Sequence, residues 1–150
     1  INVTKKNMEM ENKHITPEDL MIGDWVLMDV NYDSNYEFDN VKYEPFQIKS
    51  GEDIDLAIEN NMNSTDGVYK GIQITHELLE KNGYKFNHIW YEKDGCPAIG
   101  LGFEEGTYNV GKVYFSGKGD PDIHVYGTCR YIHELQRIFK IQHIDTKIIL

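Results

Sequence analysis

Three apolar, aromatic-rich runs follow one another between residues 84 and 116, divided by Asp94-Gly95 and Glu105-Gly106. An Asp-Gly pair between alternating runs is the strongest short-range hairpin signal, because a tight turn needs left-handed backbone there. Strands are therefore expected at Tyr84–Lys93, Cys96–Glu104 and Thr107–Ser116, with a short fourth at Ile123–Tyr126 after a Gly117–Pro121 loop. Eighteen aromatic residues, ten of them Tyr, suit a sheet better than a helical bundle. Regular βαβ alternation is missing, so the fold class is α+β rather than a parallel-sheet α/β fold.

Helices flank this meander. Thr75 caps one, Leu78 and Leu79 form its apolar stripe, and Asn82-Gly83 supplies a left-handed stop. Ile132, Leu135, Ile138 and Phe139 recur at helical spacing and predict a second helix over 130–141. Lys147–Leu150 reads as one more strand. Upstream, residues 1–14 read as a loose tail, and Thr16-Pro17-Glu18-Asp19 starts about one helical turn that Gly23 stops. Strands are expected at Trp25–Val30, at Val41–Lys49 with Pro45 pushing it toward a sheet edge or a bulge, and at 53–59, where Ile54, Leu56 and Ile58 alternate. Residues 32–40 and 60–67 read as loops, and Val68–Ile74 as an extended piece. The N-terminal strands suggest a small SH3-like barrel, and the meander would pack its apolar face on the two helices. The chain then reads as one α+β domain, 15–150, with a subdivision into an acidic β part (15–70) and a helix–meander–helix part (71–150).

Charge separates the same two parts. The net charge is −10, yet the stretch from Asp24 to Asp66 holds eleven acids against Lys42 and Lys49. Such a field repels phosphate backbones and attracts a basic protein or a cation, so direct nucleic-acid binding is not expected there. No apolar run nears the ~20 residues of a membrane helix, and no signal peptide stands out. The first residue is Ile rather than Met, so a short preceding piece is expected. Cys96 and Cys129 lack a CxxC partner and read as reduced thiols of a cytoplasmic protein. The sequons at Asn2 and Asn63 are read as chance.

Several constellations approach a chemistry without completing it. Tyr131-Ile-His133-Glu134-Leu-Gln-Arg137 nearly spells the His-Glu-x-x-His zinc helix, but Arg137 stands where the second ligand belongs and a guanidinium cannot ligate. It reads as a packing helix, with His133 at the surface or boundary. His124 and His143 are its remaining conceivable partners. His76 and Glu80 share one helix face, as a zinc pair or an ordinary surface pair would. Asp33, Asn35, Glu37, Asp39 and Glu44 fall where a calcium loop puts ligands, but Phe38 takes the place of the required Gly. Cys129 and His133, four apart, have the spacing of a thiol–imidazole pair, set against a plain buried Cys. Gly100-Leu-Gly102 and Gly117-Lys-Gly119 precede no helix and complete no phosphate fingerprint. No catalytic, cofactor-binding or metal-ligating residue is assigned.

Three segments carry a resemblance: Leu20-Met-Ile22-Gly23-Asp24-Trp25-Val26, Ile74-Thr75-His76-Glu77-Leu78-Leu79-Glu80-Lys81-Asn82-Gly83-Tyr84, and Tyr131-Ile132-His133-Glu134-Leu135-Gln136. Their order resembles a family of small uncharacterised proteins of anaerobic gut-type bacteria and their phages or mobile elements. The resemblance spans about residues 16–140; Arg137-Ile-Phe-Lys and the tail from Asp145 depart from the family ending. It implies a bacterial or mobile-element context and no activity, cofactor or catalytic residue. The expected function is a non-enzymatic interaction module for a protein partner, through its acidic region or an aromatic sheet face. The alternatives are an acidic inhibitor imitating nucleic acid, or a small metal-dependent hydrolase using His76, His124 or His133.

Overall fold

The computed structural model describes residues 15, 17–32, 41–61, 67–115, 117 and 119–150. It is α+β, with two antiparallel sheets and three α-helices among those residues. The expected tail, the Thr16 cap, the Tyr32–Asn40 loop beyond Tyr32 and most of the Asn60–Gly67 turn lie outside the described residues. The chain divides into two compact units, residues 1–72 and 73–150.

In the first unit a 3₁₀ turn, Pro17–Asp19, precedes β1 (Trp25–Asp29). β1 is the centre of a three-stranded sheet, between β2 (Tyr43–Gln47) and β3 (Tyr69–Lys70). Pro45 lies on β2 and therefore at a sheet edge, where its missing N–H costs no ladder bond. Among the described residues this sheet is open, with no closed barrel. Its core is Ile15, Leu20, Val26, Ile48, Val68 and Tyr69. Asp24 is buried and accepts from Met21 N at 2.8 Å, closing the turn at Gly23.

The strand expected at 53–59 is instead a helix, α1 (Gly51–Asn61). Asp53 accepts from the backbone N–H of Lys49 at 2.8 Å and of Ser50 at 3.2 Å, satisfying donors that a helix start leaves open. Glu52 and Asp53 also place negative charge at the positive end of the helix dipole. The apolar alternation is real, but on the helix Ala57 is buried, Ile54 and Leu56 pack on the core, and Ile58 is left 49% exposed.

The second unit is a meander in strict chain order: β4 (Lys85–Phe86), β5 (Trp90–Glu92), β6 (Ala98–Leu101), β7 (Tyr108–Tyr114) and β8 (Asp122–Cys129). The expected strand Tyr84–Lys93 is thus two strands. Asn87 Oδ1 accepts from Ile89 N (3.1 Å) and Trp90 N (2.9 Å), and His88 takes a left-handed φ of 79°, so the chain reverses there. The fourth strand is longer than expected. Cross-strand partners share a face: Tyr91, Ile99 and Val110 lie on one side, with Tyr108 and Cys129, and all five are buried. A bulge follows, since Val110 pairs with Gly127 and Gly111 with Val125, leaving Tyr126 as the extra residue.

Two helices complete this unit, α2 (His76–Lys81) and α3 (Ile132–Ile141). Thr75 caps α2 through its side chain, which accepts from Leu78 N at 3.2 Å. Both helices end alike. After α2, Gly83 N donates to Glu80 O and Tyr84 N to Leu79 O; after α3, His143 N donates to Lys140 O and Ile144 N to Phe139 O. This is the Schellman pattern, with Gly83 (φ 85°) and His143 (φ 55°) in the left-handed place. α3 lies against β8 at Gly127, where an added Cβ would sit 2.9 Å from Ile138 Cδ1. Residues 147–150 are extended but form no strand. Asn82 holds them instead, donating to Ile149 O and accepting from Ile149 N, both at 2.7 Å.

Candidate interaction surface

The candidate residues do not converge. His76 is exposed at the start of α2; its Nε2 lies 3.0 Å from Glu80 and its Nδ1 3.0 Å from the hydroxyl of Tyr91. Burial, with Glu80 and Glu77 nearby, pushes the Tyr91 phenol up, so it stays protonated and gives no phenolate nucleophile at neutral pH. His133 is 4% exposed rather than a surface residue, and its ring stacks on Tyr131 at 5.8 Å. The helix spacing puts Ile132 and Leu135 in the core, but α3 is covered on more than one side at its first turn, so His133 is buried as well. Glu134, the would-be base, accepts from Tyr131 N (3.0 Å) and Arg130 N (3.1 Å) and closes the helix start. Burial, with Glu134 nearby, pushes the Cys129 thiol up to about 12, which removes it as a nucleophile. His124 is exposed on β8 with its ring 6.1 Å from that of Tyr126, and His143 is exposed after α3. Among the described residues no three His, Cys, Asp or Glu side chains are grouped as a metal would need. Of the calcium-loop pattern only Glu44 is described; it lies on β2, 2.7 Å from Lys42 Nζ.

The acids of 24–66 divide by task. Asp24, Asp29 and Asp53 each accept from backbone N–H groups and so shape the chain locally. Asp33, Glu37, Asp39 and Asp66 lie outside the described residues. Glu52, Asp55 and Glu59 are exposed on α1 at i, i+3 and i+7, which puts them on one helix face. A strand would have scattered them differently, so reading 53–59 as a strand also hid this stripe.

In the second unit β8 is an edge strand eight residues long. Asp122, His124, Val125, Tyr126 and Thr128 are exposed; no Lys or Pro lies on it, and Asp122 and the bulge at Tyr126 are what interrupts it as a pairing edge. Beside it opens a cleft of about 450 Å³ that includes Pro97, Ala98, Val113, Tyr126 and Ile144, with Lys93 and Lys112 balanced by Glu92 and Asp94. Cys96 also lines this cleft, its Sγ 3.2 Å from Thr146 Oγ1. Phe103, at the turn between β6 and β7, is fully exposed, and Phe115, just past β7, nearly so. Sequence reasoning gave the aromatic alternation; the edge position of β8 followed only from the order of strands.

Comparison with family models, with curated proteins and with solved structures finds no match. No helix among the described residues is long and apolar enough to cross a membrane.

Proposed function

We propose that the protein is a non-enzymatic interaction module that binds a protein partner by adding an extended partner segment to β8. The observation that carries this reading is the eight-residue edge strand with Val125 and Tyr126 exposed on it. Strand addition takes its affinity from backbone hydrogen bonds and its specificity from alternate side chains; the adjoining cleft, with Tyr126 on its wall, offers a seat for one of them. The charge of −10 favours a basic partner, with the exposed stripe Glu52, Asp55 and Glu59 steering the encounter. In this reading the protein is a cytoplasmic accessory protein of a bacterium or its mobile elements, in line with the family resemblance, and its N-terminal strands are an SH3-like element. Val125→Lys, with an unchanged melting temperature, is expected to weaken capture of a cross-linked cellular partner at least tenfold. Equal capture by this variant sinks the edge-strand reading.

One observation favours a second reading, the nucleic-acid imitator. Glu52, Asp55 and Glu59 rise by roughly 4.5 and 6 Å along the α1 axis, a regular row of negative charge. Under that reading a DNA-binding protein is the partner, and duplex DNA competes for it.

A further inference from the structure

Residues 144–150 lie on the second unit as a bound peptide would. Ile148 is buried and Ile144 and Thr146 are half-buried while Asp145, Lys147 and Ile149 are exposed, the period of an extended chain with one face down. No ladder joins this segment to a strand of either sheet. Side chains hold it instead. Ile148 is 8% exposed and sits among Leu78, Leu79, Tyr84, Ile132, Leu135 and Phe139. The cavity left in that seat is only about 10 Å³, so the side chain fills it. Thr146 meets Cys96, and Ile144 lines the cleft beside β8. Asn82 reads the backbone of Ile149 with both ends of its amide, and Lys81 Nζ donates to Leu150 O. A side-chain amide that bonds one residue's N–H and C=O recognises an extended backbone whatever its side chain.

From this we infer that the trough between α2 and α3 is a peptide-docking site whose resident occupant is the chain's own segment 144–150. In trans it takes an extended partner segment with the same alternation. That partner segment carries a β-branched aliphatic residue at the Ile148 place, a small hydroxyl residue at the Thr146 place and an aliphatic residue at the Ile144 place. The resident segment competes with it. Its grip is one deeply buried side chain, one amide clamp, one lysine, the Thr146–Cys96 contact and the Ile144 N–H bond to Phe139 O, against seven residues to be ordered. The site is distinct from β8.

The test uses the full chain and a fluorescent peptide with the sequence of residues 143–150. Ile148→Ser frees the resident segment, and this variant is expected to bind the peptide at least tenfold more tightly than the wild type. A peptide with Ser at the Ile148 place is expected to bind it at least tenfold more weakly. A folded variant that binds no better than the wild type overturns the proposal, as does equal binding of the Ser peptide. A wild-type dimer formed by exchange of this segment overturns the partner reading in favour of a second copy. Hydrogen exchange in the wild type gives a readout that does not depend on the variant folding. The Ile149 amide is expected to exchange at least 100-fold faster than that of Val110 in β7, and matching rates overturn the displacement mechanism.

Discussion

Single residues carry backbone strain that glycine would relieve. His88 takes the first position of a two-residue hairpin turn at φ 79°, a place that prefers Gly, and His143 takes the left-handed place after α3 at φ 55°. His88→Gly and His143→Gly are each expected to raise stability by roughly 0.5–1 kcal/mol, since an L-residue costs about 1–2 kcal/mol there and Gly gives back part of that in entropy. Urea denaturation of each variant checks this. Gly111 has the opposite character. A Cβ there would lie 2.0 Å from His124 O, a backbone atom of the bulged partner strand that cannot swing away. Gly111→Ala is expected to cost about 2–4 kcal/mol or to leave the second unit unfolded, read by the same titration. Gly83 was legible because Asn-Gly after an apolar stripe is a helix-stop pattern. The same motif after α3 was not, because His143 carries no such signal and is held left-handed by the two hydrogen bonds around it.

At the scale of elements, hydrogen-bonding capacity at the ends decided what periodicity alone left undetermined. Ile54, Leu56 and Ile58 fit period two, while Ile54, Ala57 and Ile58 fit a helix equally well. Ser50 followed three residues later by Asp53 was the discriminating signal, and Asp53 accepts from two backbone N–H groups at the α1 start. Asp53→Ala is expected to cost about 1 kcal/mol and to speed amide exchange within 51–61, with exchange in β6 and β7 unchanged. Glu134 plays the corresponding part for α3, so the acid of the near-zinc motif serves the helix start. The meander was legible because Asp94-Gly95 and Glu105-Gly106 fix tight turns, and Gly95 (φ 74°) and Gly106 (φ 75°) are left-handed. The extra reversal at Asn87-His88 was hidden, because the Asn side chain and not a glycine makes that turn.

At the scale of the whole molecule, both units bury groups that must stay protonated. Burial pushes Cys129, in the second unit, up to about 12 from 9.0; burial and the nearby Asp53 push Tyr69, in the first, up to about 12 from 10.0. Between those ordinary values and pH 12 the unfolded chain has released protons that the folded chain keeps. The unfolded chain therefore binds fewer protons there, and stability, full below about pH 9, falls as pH rises toward 12. The urea midpoint is expected to be lower at pH 11 than at pH 8, and Cys129→Ala should reduce that drop. Native thiol titration at pH 8 should find Cys96 reactive and Cys129 protected until denaturant is added, since Cys96 lines the open cleft and Cys129 is buried.

By itself the sequence determined what short-range chemistry settles: the α+β class, the Gly turns of the meander, the Thr75 cap and the concentration of acids in 24–66. Those features depend on the φ a residue tolerates, the donors a cap can satisfy and the charges a stretch carries, none of which needs a distant partner. Only the tertiary structure decided that His133 is buried, that β8 is an edge and that 144–150 lies as a strap clamped by Asn82. Each of these depends on what stands opposite in space: which side of an element is covered, which strand is last in the sheet, and whether a side chain rather than a strand receives the backbone's hydrogen bonds.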